Sequence, residues 1–162
     1  MFSVRCTKKL LDRMRLDPEP DPPVSSTVLG DWYANLLRVG KQQFILCVSE
    51  KTLLPVLVPA VDAKLLPRRL PEAVLVVLKR LEILSTAIDR EMTEMQDAVV
   101  ARTASRSVLG MMNDLAFAAP YRLVEGASLL EVALWLAQTP CSPIAMNSPE
   151  RETQAAFAES LH

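Results

Sequence analysis

Apolar and polar residues alternate at the start of the chain, with Phe2, Val4 and Cys6 interleaved with Ser3 and Arg5. This is the period-two signature of a half-buried strand. Thr7 can then cap a short helix over residues 8–15, with Leu10, Leu11 and Met14 on its inner side. Residues 17–23, Asp-Pro-Glu-Pro-Asp-Pro-Pro, lack the amide donors for a ladder and predict an exposed, extended connector. A proline-motif ligand is the functional alternative there. Residues 27–37 read as a strand carrying Trp32 and Tyr33, Gly40-Lys41 as a turn, and the apolar run 43–49 as a central strand. Glu50-Lys51 turns again into a third strand, 52–58, which Pro55 demotes to an edge or delays in its start. The short connections make an antiparallel meander the simplest topology.

The pattern then changes period. Pro71 suits the first position of a helix running to about Leu84, with Val74, Val77, Leu78 and Leu81 on one face. Ile88, Met92 and Met95 form the inner stripe of a second helix over 85–96. Residues 97–103 could prolong that helix, but the β-branched run favours a strand joining the sheet. Ser105 or Ser107 would cap a helix over 108–118. Gly126-Ala127 separates it from a last core helix opening on the capping box Ser128-Leu129-Leu130-Glu131 and ending at 139–143. From Asn147 onward the chain is polar and alanine-rich, a frayed helix at best, or disordered. The expected fold class is α+β, an antiparallel sheet of about four to five strands packed by four to five helices. It is organised as a domain over 1–144 and a polar tail over 145–162.

Composition narrows the class. A chain of 162 residues that is 50% hydrophobic matches one ordinary domain, which buries roughly two thirds of its unfolded surface. Three cysteines far apart, without a C-x-x-C, argue against a disulfide framework or a structural zinc site, and Cys47 within its apolar run reads as a small buried hydrophobe. The N-terminus has charges but no apolar stretch behind them, and the apolar run 53–61 is interrupted by Pro55 and Pro59. That run falls short of the about 20 residues of a membrane span. No membrane association and cytoplasmic residence are the expectation. The net charge of −1 is uneven: residues 1–81 hold 13 basic against 8 acidic side chains, and residues 82–162 hold 5 against 11. Either the halves mix on the folded surface, or the first presents a basic docking face.

The chemistry on offer is restricted. The only histidine is His162, the terminal residue, so the commonest general base and metal ligand is missing from the body of the chain. Four glycines include no phosphate-cradling loop. Asp62-Ala63-Lys64, with Asp31 and Glu50 upstream, loosely matches the carboxylates and lysine of metal-dependent nucleases, at poor spacing. The stretch 102–114 is richer. If a strand turns into a helix there, free amides at the helix start meet the hydroxyls of Ser105 and Ser107, and Arg102 and Arg106 add planar donors. Together these make a pocket for phosphate or carboxylate. The plainer alternative is that the serines only cap the helix while an arginine pairs with Asp114. Trp32 and Tyr33 should face opposite sides of their strand, so at least one could be exposed for an interface or base stacking, but core packing, with Asn35 hydrogen-bonded, is the favoured reading.

The opening Met1-Phe2-Ser3-Val4-Arg5-Cys6-Thr7-Lys8-Lys9-Leu10-Leu11-Asp12-Arg13, the block Asp31-Trp32-Tyr33-Ala34-Asn35-Leu36, Thr52-Leu53-Leu54-Pro55-Val56-Leu57 and Arg106-Ser107-Val108-Leu109-Gly110-Met111-Met112-Asn113-Asp114 together resemble a bacterial domain-of-unknown-function family. Related segments are similar to ones beside plasmid open-reading-frame-three-like proteins of mobile elements. The resemblance spans residues 1 to about 144 and implies a bacterial, cytoplasmic protein without bringing an activity. The expected function is a non-catalytic binding or regulatory protein engaging a partner protein or an anionic ligand, with neither cofactor nor metal. Its expected site is Arg102, Ser105, Arg106, Ser107, Asn113 and Asp114, with Trp32 and Asn35. The alternative is a histidine-free metal-dependent nuclease or a nucleic-acid-binding factor.

Overall fold

In the computed structural model, which describes residues 1–161, the first strand β1 (Phe2–Cys6) lies inside a five-stranded sheet rather than at its margin. His162 lies outside the described residues. Thr7 caps α1 (Lys8–Met14), its hydroxyl accepting from the Leu10 amide, and Arg15 closes the helix in the left-handed conformation. The hairpin β2 (Trp32–Val39) and β3 (Gln42–Ser49) is followed by β4 (Pro55–Pro59). Then come α2 (Leu66–Arg80), α3 (Ser85–Glu94), β5 (Ala98–Arg102), α4 (Arg106–Val124), α5 (Leu129–Leu136) and α6 (Pro149–Glu159). The class is α+β, with six helices among the described residues.

The sheet order is β4-β3-β2-β1-β5. The meander β2-β3-β4 is antiparallel, but β1 runs parallel to both β2 and β5. The expected all-antiparallel sheet is thus corrected to a mixed one. Residues 7–31 between β1 and β2, which include α1, are a crossover long enough for parallel pairing, which a tight turn could not make.

Helices cover both faces of the sheet. Phe2, Val4, Trp32, Ala34, Ile45 and Cys47 face α1, α2 and α3 in one core cluster. Tyr33, Leu37, Leu46 and Val48 face α4 and α5 in the other. Two-sided burial explains why β3 reads as continuous apolar sequence. It also corrects the half-buried reading of β1, in which even Ser3 is fully enclosed. Both edges are protected. Pro55 starts β4 late and at the edge, as expected from the sequence. On the other side the proline-rich connector runs beside β5, the Glu19 amide donating to the Val100 carbonyl at 2.7 Å.

Three boundaries differ from the sequence reading. α2 starts at Leu66, with Pro67 in the first turn and Pro71 inside the helix. Pro71 can therefore forgo only a bond to the carbonyl of Pro67, early enough to be tolerated. α4 continues through Pro120 to Val124, because Ala119 is buried just before the proline and Leu123 packs against the second core cluster after it. The segment after Asn147 is no frayed tail. Ser148 caps α6 by accepting from the Arg151 amide, Phe157 enters the first core cluster, and Thr153 Oγ1 donates to Thr52 Oγ1 at 2.9 Å.

Candidate functional site

β5 leads directly into α4 at the stretch singled out in the sequence, and the strand-to-helix reversal is present. Ser105 is the cap: its hydroxyl accepts from the Val108 amide, and its own amide donates to the Tyr33 hydroxyl at 2.9 Å. Both of its local groups are thus used inside the fold. Ser107 is exposed and does not cap.

The other predicted residues do not gather into one hollow. Trp32 is completely enclosed in the core, its Nε1 without a hydrogen-bond partner, so it offers no surface for stacking. Tyr33 is also buried, on the opposite face, so core packing, the favoured reading of the pair, holds for both rings. Both rings are covered because both sheet faces carry helices. Asn35 is occupied locally, its Oδ1 accepting from Thr7 Oγ1 at 2.6 Å and from the Leu36 amide at 2.8 Å. Asp114 lies near Cys141, whose thiol is pushed up by burial and then by the Asp114 charge. Arg106, Asn113 and Asp114 are exposed along α4.

Arg102 belongs to a different feature. It lines a cavity of about 410 Å³ with Thr103, Cys6, Lys8, Asp12 and Asp17 at the carboxyl ends of β1 and β5. These parallel strands send their following helices to opposite faces, α1 with the first cluster and α4 with the second. The cavity lies on the α1 side of that divergence, without an α4 residue in its lining, at strand ends of the kind that hold ligands in parallel sheets. Beside it, Arg5 donates to the Arg102 carbonyl and to Asp31, each at 2.9 Å. The cysteine in it is inert, since burial holds the Cys6 thiol up at about 12.

Of the carboxylates in the metal-dependent nuclease reading, Asp62 is exposed and caps nothing, whereas Asp31 and Glu50 are already engaged. Asp31 accepts from the Ser3 amide and from Arg5, and Glu50 accepts from the Asp31 amide. Among the described residues no group of three or more His, Cys, Asp or Glu could hold a metal ion.

The outer surface of α4 carries what the sequence reading missed. At 3.6 residues per turn, Arg106, Gly110, Asn113, Phe117, Tyr121 and Val124 fall on one side. The opposite side, with Val108, Met111, Met112, Leu115 and Ala119, is buried. Phe117 is 77% exposed, Tyr121 65% and Val124 76%. The two rings meet edge to face with centroids 6.4 Å apart. On the flank, Arg122 stacks 4.8 Å over Trp135. The signal was present as apolar residues at i, i+4 and i+7, but ending the helix before Pro120 hid it.

A family model described as a domain of unknown function, DUF6933, matches residues 3–152. No curated protein and no solved structure matches the chain.

Proposed function

The chain belongs to the DUF6933 family, a domain of unknown function, and from that premise we propose that it acts by binding, as a non-catalytic regulatory protein that docks a partner protein on the outer face of α4. One observation carries this reading: Phe117, Tyr121 and Val124 are exposed in a single stripe continuous with Arg106 and Asn113. A clustered apolar and aromatic surface with a polar margin is the usual anatomy of a protein interface, and aromatic anchors supply most of its energy. The resemblance of the opening and of the Arg106–Asp114 block to a bacterial family near mobile elements supports a bacterial, cytoplasmic setting.

A photo-crosslinking residue placed at Val124 tests the reading in cells. Crosslinked product is expected from that position, none from a control at exposed Glu72 on α2, and loss of the product on Phe117→Ser/Tyr121→Ser with the fold intact by circular dichroism. Equal products from both positions, or none from Val124, would overturn it.

A second reading, an anionic ligand at the carboxyl ends of β1 and β5, is favoured by Lys8 and Arg102 in the lining of the cavity. Asp12 and Asp17 on the same wall oppose it. Titration with inorganic phosphate and nucleoside phosphates decides: affinity lost on Lys8→Ala and Arg102→Ala supports the cavity, and no heat of binding at millimolar ligand removes it.

A further inference from the structure

Three features of the α4 stripe are unfavourable for a helix that stays alone. Arg106 stands at the first helical position and Glu125 at the C-terminal cap, each charge at the end where the helix dipole disfavours it. Gly110 lies in the helix interior, where it is among the poorest helix formers. A Cβ added there would meet nothing within 4 Å, so no neighbour within the chain requires a glycine. The rings of Phe117 and Tyr121 stand in water.

One arrangement accounts for all three. Gly110 and Tyr121 lie equally far along the chain from the point between Leu115 and Ala116, and so do Arg106 and Glu125. Two α4 helices laid antiparallel about a two-fold axis through that point place each Tyr121 ring on the open backbone at Gly110 of the partner subunit. The same axis sets each Arg106 at the level of Glu125 of the partner subunit, at the margin of the contact. A two-fold axis makes each contact twice, which is why a self-complementary stripe needs no second surface. Glu125 remains available, since its side chain is 67% exposed and its contact with Arg122 is a loose 3.8 Å. An unrelated partner would explain the exposed rings but not the matched spacing of the opposite charges and of the glycine and tyrosine.

We infer that the occupant of the α4 face is a second copy of this chain, packed antiparallel helix to helix. The inference rests on the docking reading above and names its partner. The helix is roughly 28 Å long at 1.5 Å per residue, which places the contact at the small end of specific interfaces. The dimer is therefore reversible, with a dissociation constant of about micromolar order.

Sedimentation velocity across about 1–500 µM should show the monomer converting to dimer. Arg106→Glu or Glu125→Arg alone weakens association by about tenfold, through like charges meeting across the axis. The double reversal restores it, because the pair is remade with the signs exchanged. Gly110→Gln raises the melting temperature of dilute monomer yet weakens association, a combination that a purely structural role would not produce. A chain that stays monomeric throughout, or a double reversal without rescue, overturns the inference. Its failure is distinguishable from that of the docking reading: a monomeric chain whose Val124 crosslinker still forms a product larger than one chain but different from two leaves the docking face standing without the dimer. Absence of any product removes both.

Discussion

Glu91 is almost fully enclosed on α3, and its carboxylate accepts from the Val28 and Leu29 amides at 2.7 and 3.0 Å. It thereby holds the loop that leads into β2. Burial raises its pKa above the ordinary 4.5, outweighing the two amides and the charge of Lys51 that pull it down. A carboxyl whose pKa is raised in the folded state binds its proton more tightly there than in the unfolded chain. Its contribution to stability is therefore full below about 4.5 and declines as the pH rises through the folded value. Glu91→Ala leaves two amides without an acceptor and should lower the unfolding free energy by about 2 kcal/mol at neutral pH. Glu91→Gln keeps one acceptor and removes the charge. Measured against wild type by urea unfolding, its deficit should shrink as pH rises above the ordinary 4.5; a deficit independent of pH would contradict the assignment. Ser105 shows how a residue can be correctly singled out and misassigned. Its place at the helix start was legible from Ser105-Arg106-Ser107, but the acceptor that its amide meets is the hydroxyl of Tyr33, a residue far away in sequence.

Elements were legible where local chemistry sets them. Thr7, Ser105 and Ser128 each cap a helix as their positions suggest, and β5 follows the β-branched run 99–100. Ser105→Ala should cost about 1 kcal/mol of stability, read as a lower urea midpoint with the same slope, because only the Val108 amide loses its partner. Prolines misled in both directions. Pro71 looked like a helix start, and the helix expected over 108–118 stopped short of Pro120, yet both prolines lie inside helices whose other residues are held by packing. The true end of α4 is a Schellman closure: the Gly126 amide bonds to the Leu123 carbonyl and the Ala127 amide to that of Arg122, with Gly126 at φ 88°. Gly126 was visible in the sequence as a break, but it competed with a nearer proline.

At the scale of the whole molecule, helices on both sheet faces explain the two enclosed aromatics, the central β1 and the docking of α6. Among the described residues, no helix is long and apolar enough to cross a membrane. Removing the chain from Ser148 onward exposes the cleft that receives Phe157 and strips Thr52 of its buried partner. The truncated chain should lose about 3 kcal/mol of unfolding free energy, from one large apolar side chain and one buried hydroxyl bond. Thermal and urea melts unchanged by the truncation would show that α6 is a passenger. Ser148-Pro149-Glu150 was a readable helix start, but composition alone could not tell a docked helix from a frayed one. Phe157 stabilises the segment only because a cleft elsewhere in the fold is shaped for it.

By itself the sequence determined what depends on near neighbours: the caps, the β2–β3 turn, the edge character of β4, the strand at β5 and the α+β class. Side-chain hydroxyls, glycine and proline act within a few bonds of their own position, so their effects can be read in order along the chain. Tertiary structure alone decided the parallel placement of β1 between β2 and β5, the covering of both sheet faces and the enclosure of Trp32. It also scattered Arg102, Asn35 and Asp114 and left the face of α4 that carries Arg106, Asn113 and Phe117 uncovered. Those outcomes depend on which distant surfaces exclude water together, and burial is a property of the pair that meets rather than of either segment.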